Sequence, residues 1–213
     1  MAADLVTIAT TAALTQFVGP MFKNLGEQAL ERAKQVANKA VAQLKVVGRD
    51  PQPVEPKLLL PLVQAASLEN NETLIDRWAA LLANAADPAQ KVKVQPSFSE
   101  ILRQLTPTEA LLATAITNFT SEESSVTKRA SLFQTTYAYR RINGISDEEF
   151  AIAIDNLCRL SLTITRGPVP SEAVVQLLGG LAVGANEVLP GKERIAMTIL
   201  GLTFLTAVTP PTA

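Results

Sequence analysis

The stretch from Pro56 to Leu105 decides the fold: PKLLLPLVQAASLENNETLIDRWAALLANAADP (56–88), followed by VQPSFSEILRQL (94–105). Leu58, Leu62 and Ala65 or Ala66 recur at helical spacing and share one face. Leu74, Ile75, Trp78, Leu81 and Leu82 mark a second helical face, and Asn70-Asn71 interrupts the run between the two. The pattern predicts a helical hairpin with a third, shorter helix after Pro96.

Within this block, Asn70 or Asn71 is suited to cap the second helix, since a short amide side chain can accept from the free N–H groups of a first turn. Glu69, Glu72 and Asp76 form an acidic cluster of nearly helical spacing, the pattern that a metal or an acid–base pair would require. The simpler reading is electrostatic: carboxylates gather where the helix presents its positive end. Trp78 lies on the apolar face and reads as a core anchor rather than a ligand-stacking residue. Asn84, just before Ala85-Ala86-Asp87-Pro88, reads as part of a helix terminus.

The composition of the whole chain removes several chemistries. None of the 213 residues is histidine, and Cys158 is the only cysteine. Ser/His and Cys/His nucleophiles are therefore absent, as are zinc sites built from histidine or paired cysteine. An intrachain disulfide is impossible. The inventory disfavours an enzyme without excluding one, since carboxylate-only sites remain available. Apolar residues reach 47% while aromatics reach only 5%, which points to alanine- and leucine-rich helices packed closely together. A net charge of −1 supplies no overall attraction to nucleic acid or to a membrane surface, so any such binding must be local.

Toward the N-terminus, residues 5–22 (LVTIATTAALTQFVGPMF) carry no charge, yet five of them are Thr or Gln and Gly19-Pro20 breaks the run. A helix buried in protein or lying at an interface fits better than one that spans a bilayer. From Phe22 an apolar stripe follows, through Leu25, Ala29, Ala33, Val36 or Ala37, Ala40 or Val41, to Leu44. Residues 20–49 hold six basic residues (Lys23, Arg32, Lys34, Lys39, Lys45 and Arg49) against Glu27 and Glu31. Such a face can meet anionic lipid or a partner helix, or can simply be the solvated side of a bundle helix. Residues 46–57 (VVGRDPQPVEPK) contain three prolines and a glycine and predict a linker, which would leave the first 46 residues as an arm able to move.

Toward the C-terminus, Thr106-Pro107 with Glu109 predicts a helix start, with the helix running to about Phe119. Thr127–Ile142 reads as a further helix, weakened by Thr135-Thr136-Tyr137. Ser146 followed by Asp147, Glu148 and Glu149 opens another, with Phe150, Ile154, Leu157 and Leu160 as its apolar positions. Leu162–Thr165 and Ile195–Met197 then read as short strands, with Thr198 capping a last helix: the order of a winged helix–turn–helix. Residues 171–189 occupy the wing position, with room for an inserted helix around Ala173–Leu178. The helix that would read DNA is acidic at Asp147, Glu148, Glu149 and Asp155, and only Arg159 is basic, so phosphate would repel it. Lys128, Arg129, Arg140 and Arg141 form a modest basic cluster before it. The uncharged stretch 195–213 reads as a buried terminal helix, and Gly179-Gly180 and Gly184 lack the lysine and spacing of a phosphate loop.

Two pieces of the chain resemble the Abi-alpha family, a bacterial group associated with abortive infection. The first piece is Pro56 and LLLPLVQAAS, the LIDRWAALLANAADP run, and QPSFSEILRQLTPTEALLA; the second is DNLCRLSLT (155–163) with MTILGLTFLTAVTP (197–210). Together they span roughly Val54 to Pro210. Ser161 stands where the family usually has glycine, and Leu202 where it commonly has a charged or polar residue. The resemblance implies a role in phage defence and brings no catalytic, cofactor-binding or metal-binding residues.

The expected architecture is mainly α: an amphipathic helical arm (1–46), a Pro-rich linker (47–57), a helical block (58–120) and a winged-helix-like module (121–213). The expected function is a non-enzymatic bacterial defence protein, without cofactor, acting through protein contacts or membrane association. A protein partner or self-association is expected, with membrane-surface contact through residues 20–49 as an option and nucleic acid disfavoured. The expected location is cytoplasmic, with peripheral membrane association left open. The alternative is a winged-helix transcriptional regulator that binds DNA.

Overall fold

The computed structural model describes residues 27–89, 93–121, 134–135, 145–166 and 194–212. The protein is mainly helical. Among the described residues it forms seven helices and three short strands: α1 (Glu27–Val46), α2 (Pro56–Ala66), α3 (Glu72–Ala86), α4 (Ser97–Arg103), α5 (Pro107–Ser121), β1 (Gln134–Thr135), α6 (Asp147–Arg159), β2 (Thr163–Arg166), β3 (Arg194–Met197) and α7 (Ile199–Ala207). The chain divides into two compact units, one formed up to Pro107 together with Thr203 onward, the other formed by Thr108–Leu202.

In the first unit, α3 is the central element. Its start is fixed by Asn71, whose side-chain oxygen accepts from Thr73 N (3.0 Å) and Leu74 N (3.4 Å). Leu74, Ile75, Trp78, Leu81 and Leu82 are all buried, the set that periodicity predicts, and Trp78 is only 1% exposed. Ala79, Ala80, Ala83 and Ala86 are buried as well, so little of this helix faces water. α2 starts on Pro56, where the missing N–H costs nothing, and buries Leu62, Val63 and Ala66. The short helix expected after Pro96 is α4, and its Phe98 meets Phe204 edge-on with ring centroids 5.7 Å apart.

The described part of the expected arm forms α1, within the first unit. Its apolar stripe, Ala29, Val36, Ala37, Ala40 and Leu44, is buried, chiefly against α3 and also against α2. Small alanine side chains let the helices approach closely, so the stripe is consumed inside the unit and is not available to lipid. The segment after it is no free tether either. Gly48 takes the left-handed conformation (φ +69°) at the end of α1, with Gly48 N donating to Lys45 O and Arg49 N to Leu44 O, the paired bonds of a Schellman cap. Gln52 N then donates to Ala86 O at 2.8 Å, pinning the proline-rich stretch to the end of α3. Prolines stop the helix here, but hydrogen bonds and an ion pair hold the stretch in place. The compact units divide at Pro107 and Leu202. Residues 1–26, with the uncharged 5–22 run and Lys23, lie outside the described residues.

In the second unit, α6 opens with a complete capping box: Glu149 N donates to Ser146 Oγ, and Ser146 N donates to the Glu149 carboxylate. Phe150, Ala153, Ile154 and Leu157 are buried. The three strands form an antiparallel sheet in the order β1-β3-β2, with Thr163 opposite Met197 and Gln134 opposite Ile195. β2 and β3 fall within one residue of the expected strands. Gln134–Thr135, expected inside a helix, is instead a strand: β3 supplies its pairing partner, with Ile195 opposite Gln134 from 61 residues away in sequence. The remainder of the expected 127–142 helix, and the wing position at 171–189, lie outside the described residues.

The last helix begins as its sequence predicts. Gly201 N donates to Thr198 Oγ1 (2.9 Å), and the same hydroxyl donates to Ser161 O (2.6 Å). A Cβ at Gly201 would overlap the carbonyl oxygen of Leu162, so the close approach of this turn depends on glycine. No helix among the described residues is long and apolar enough to cross a membrane.

Candidate functional site

The acidic cluster singled out in the sequence is committed to neighbouring donors. Lys39 Nζ lies 2.9 Å from Glu72 Oε2 and 2.6 Å from Asp76 Oδ1, while Gln35 donates to Glu72 Oε1. Hydrogen bonding from Lys39, and then from Gln35, holds the Glu72 carboxyl below its ordinary pKa. The bonds to Asp76 and Glu72 in turn raise Lys39. Glu69 is occupied locally, accepting from Asn70 N and Asn71 N. These are exposed carboxylates bound to a cation or to main chain, the opposite of a desolvated, proton-exchanging pair. No group of three or more metal-ligating side chains occurs among the described residues.

A buried polar cluster lies elsewhere in the first unit, around the C-terminal end of α7. Asn84 donates through Nδ2 to Ala207 O (2.9 Å) and Thr209 O (2.7 Å). Arg77 Nη1 reaches Val208 O at 3.3 Å, and burial lowers the pKa of its guanidinium. Arg49 pairs with Asp87 at 2.6 Å and extends Nη2 to Thr212 O at 3.0 Å. Asp87, only 4% exposed, also accepts from Ala89 N. Cationic donors at a helix C-terminus answer both the unpaired carbonyls and the negative end of the helix dipole. Asn84 lies in the last turn of α3, at the helix terminus that the sequence predicts, and it also serves the terminus of a different helix. The sequence signal was the single amide within the apolar run WAALLANAA, which a buried position must satisfy.

The second unit presents a different kind of surface. On α6, Glu148, Ile152, Asp155 and Arg159 follow one another at helical spacing, and all four are exposed, Ile152 to 60%. They form the outward stripe opposite the buried Phe150, Ile154 and Leu157. The groups that could read base edges are engaged internally. Arg159 donates from Nε and Nη2 to Asn156 Oδ1, and Asn156 donates to the buried Glu109 at 2.8 Å. Cys158 is half-buried, its sulfur 3.3 Å from Thr163 Oγ1. Lys128, Arg129, Arg140 and Arg141 lie outside the described residues.

A family model described as abortive infection alpha matches residues 26–208, spanning elements of both units from α1 to the end of α7. The chain belongs to the abortive infection alpha family. Membership in the abortive infection alpha family takes in α1, which the resemblance read from Val54 onward had left outside. Neither curated proteins nor solved structures give a significant match. The family description points to abortive infection as the context and carries no residue-level role.

Proposed function

We propose that this member of the abortive infection alpha family takes part in bacterial defence against phage as a non-enzymatic, cytoplasmic protein that works by contacting another protein. The observation that carries the mode of action is the outward stripe of α6. Its exposed residues Glu148, Ile152 and Asp155 combine an apolar centre with negative charge, and Arg159 is tied to Asn156. A surface of this kind suits a protein partner and repels a phosphate backbone. The absence of histidine and of a second cysteine supports the non-enzymatic part of the reading.

Phage challenge of cells carrying the wild-type chain, Ile152→Arg or Asp155→Lys tests the proposal. Both positions are exposed, so circular dichroism and melting should stay unchanged while protection falls. Full protection by both variants would remove α6 from the mechanism. The alternative, a winged-helix DNA regulator, draws on the antiparallel β2–β3 pair that follows α6. It requires duplex binding that weakens steeply with salt, measurable by fluorescence anisotropy at two salt concentrations. Lipid binding through residues 20–49 is the weaker form of the proposal, because the apolar stripe of α1 is buried. Liposome flotation of the full chain checks it.

A further inference from the structure

The segment Thr203–Thr212 belongs to the first unit, yet it is joined to the rest of that unit only through the whole of Thr108–Leu202. It carries no charged side chain. Asn84, Arg77 and Arg49 donate to its main-chain carbonyls at Ala207, Val208, Thr209 and Thr212. Two of the holding groups, Asn84 and Arg49, are also positioned without it. Asn84 Nδ2 donates to Ala80 O within its own helix, Arg49 is fixed by Asp87, and Asp87 is fixed by Ala89 N. Such a receptor keeps its shape when its occupant leaves.

From this arrangement we infer that Thr203–Thr212 is a strap, held shut by a clasp of Arg77 with the preformed donors Arg49 and Asn84, which opens as a local event separate from unfolding of α1 and α3. Burial of Phe204, Leu205, Ala207 and Val208 makes the closed form the resting one. Opening bares those side chains and the ring of Phe98, giving the chain a second state with an uncharged apolar helix end exposed. The clasp reads carbonyl oxygens and the helix dipole, so closure depends on its donors.

Hydrogen exchange of the full-length chain tests the device, comparing wild type with Asn84→Ala and, as a second variant that leaves the α3 core untouched, Arg77→Met. Losing donors from the clasp should speed exchange of the amides in 204–209 by about tenfold, with α1 and α3 at wild-type rates. Emission from Trp78, the only tryptophan and a residue of α3, should remain that of a buried indole in both variants. Two results overturn the inference. One is unchanged exchange in 204–209 in both variants. The other is acceleration of α1 and α3 in step with the strap, with a red-shifted Trp78, which would make the segment an inseparable part of one cooperative core.

Discussion

Replacing Ser161 with glycine should stabilise this protein. Ser161 is the one described non-glycine residue with positive φ, at 58°. It sits just past the end of α6, where Ser161 N donates to Cys158 O and Leu162 N to Leu157 O, the same Schellman pair that Gly48 completes at the end of α1. An L-residue in this conformation costs roughly 1–2 kcal/mol through the contact between Cβ and its own carbonyl. Glycine removes that cost but gives the unfolded chain more freedom, worth about 0.4–1 kcal/mol in the other direction. The difference leaves a net gain of about 0.5–1 kcal/mol. Ser161 is exposed, so no packing is lost, and its carbonyl stays in place to accept from Thr198 Oγ1. In thermal unfolding this corresponds to roughly 1–4 °C for a chain of this size. Ser161→Val is the converse, since a β-branched side chain fits the left-handed region worst, and its midpoint should fall. A lowered or unchanged midpoint for Ser161→Gly, measured by both heat and urea, would refute the reasoning. It would mean that the turn at the end of α6 is not left-handed in solution. Glycine is also what the family resemblance leads one to expect at this position.

Three further outcomes are expected. Trp78→Ala should cost roughly 3–5 kcal/mol in urea unfolding by leaving a large void in the core, whereas Trp78→Phe should cost much less. The indole N–H has no hydrogen-bond partner among the described residues, so phenylalanine forfeits volume without orphaning a polar group. Gly201→Ala should destabilise by about 1–3 kcal/mol, because its methyl group would meet the backbone of Leu162, and the urea midpoint reports this directly. The folded-state pKa of Glu72 is depressed, so its pairing with Lys39 stabilises above the unfolded carboxyl pKa and is lost as pH falls through the folded value. Glu72→Gln should therefore flatten part of the acid limb of the stability–pH curve, and an unchanged acid limb would contradict the pairing.

Periodicity and end chemistry were legible from the chain alone. The apolar faces of α1, α2 and α3, the caps at Asn71, Ser146 and Thr198, and the burial of Trp78 all depend on interactions within a few residues, and local sequence specifies those. The same sequence could not say what each apolar face would meet. The α1 stripe reads equally well as a lipid-facing surface or a bundle face until α3 is placed against it. Gln134–Thr135 has no local reason to be a strand without β3, and the linker's prolines break a helix without revealing that Gln52 and Arg49 are anchored at the end of α3. The clasp is the strongest instance, because Asn84 lies 123 residues from the carbonyl of Ala207. Nothing in either stretch announces the other. Hydrogen-bond satisfaction of a buried amide demands a partner, and only the tertiary structure decides which one.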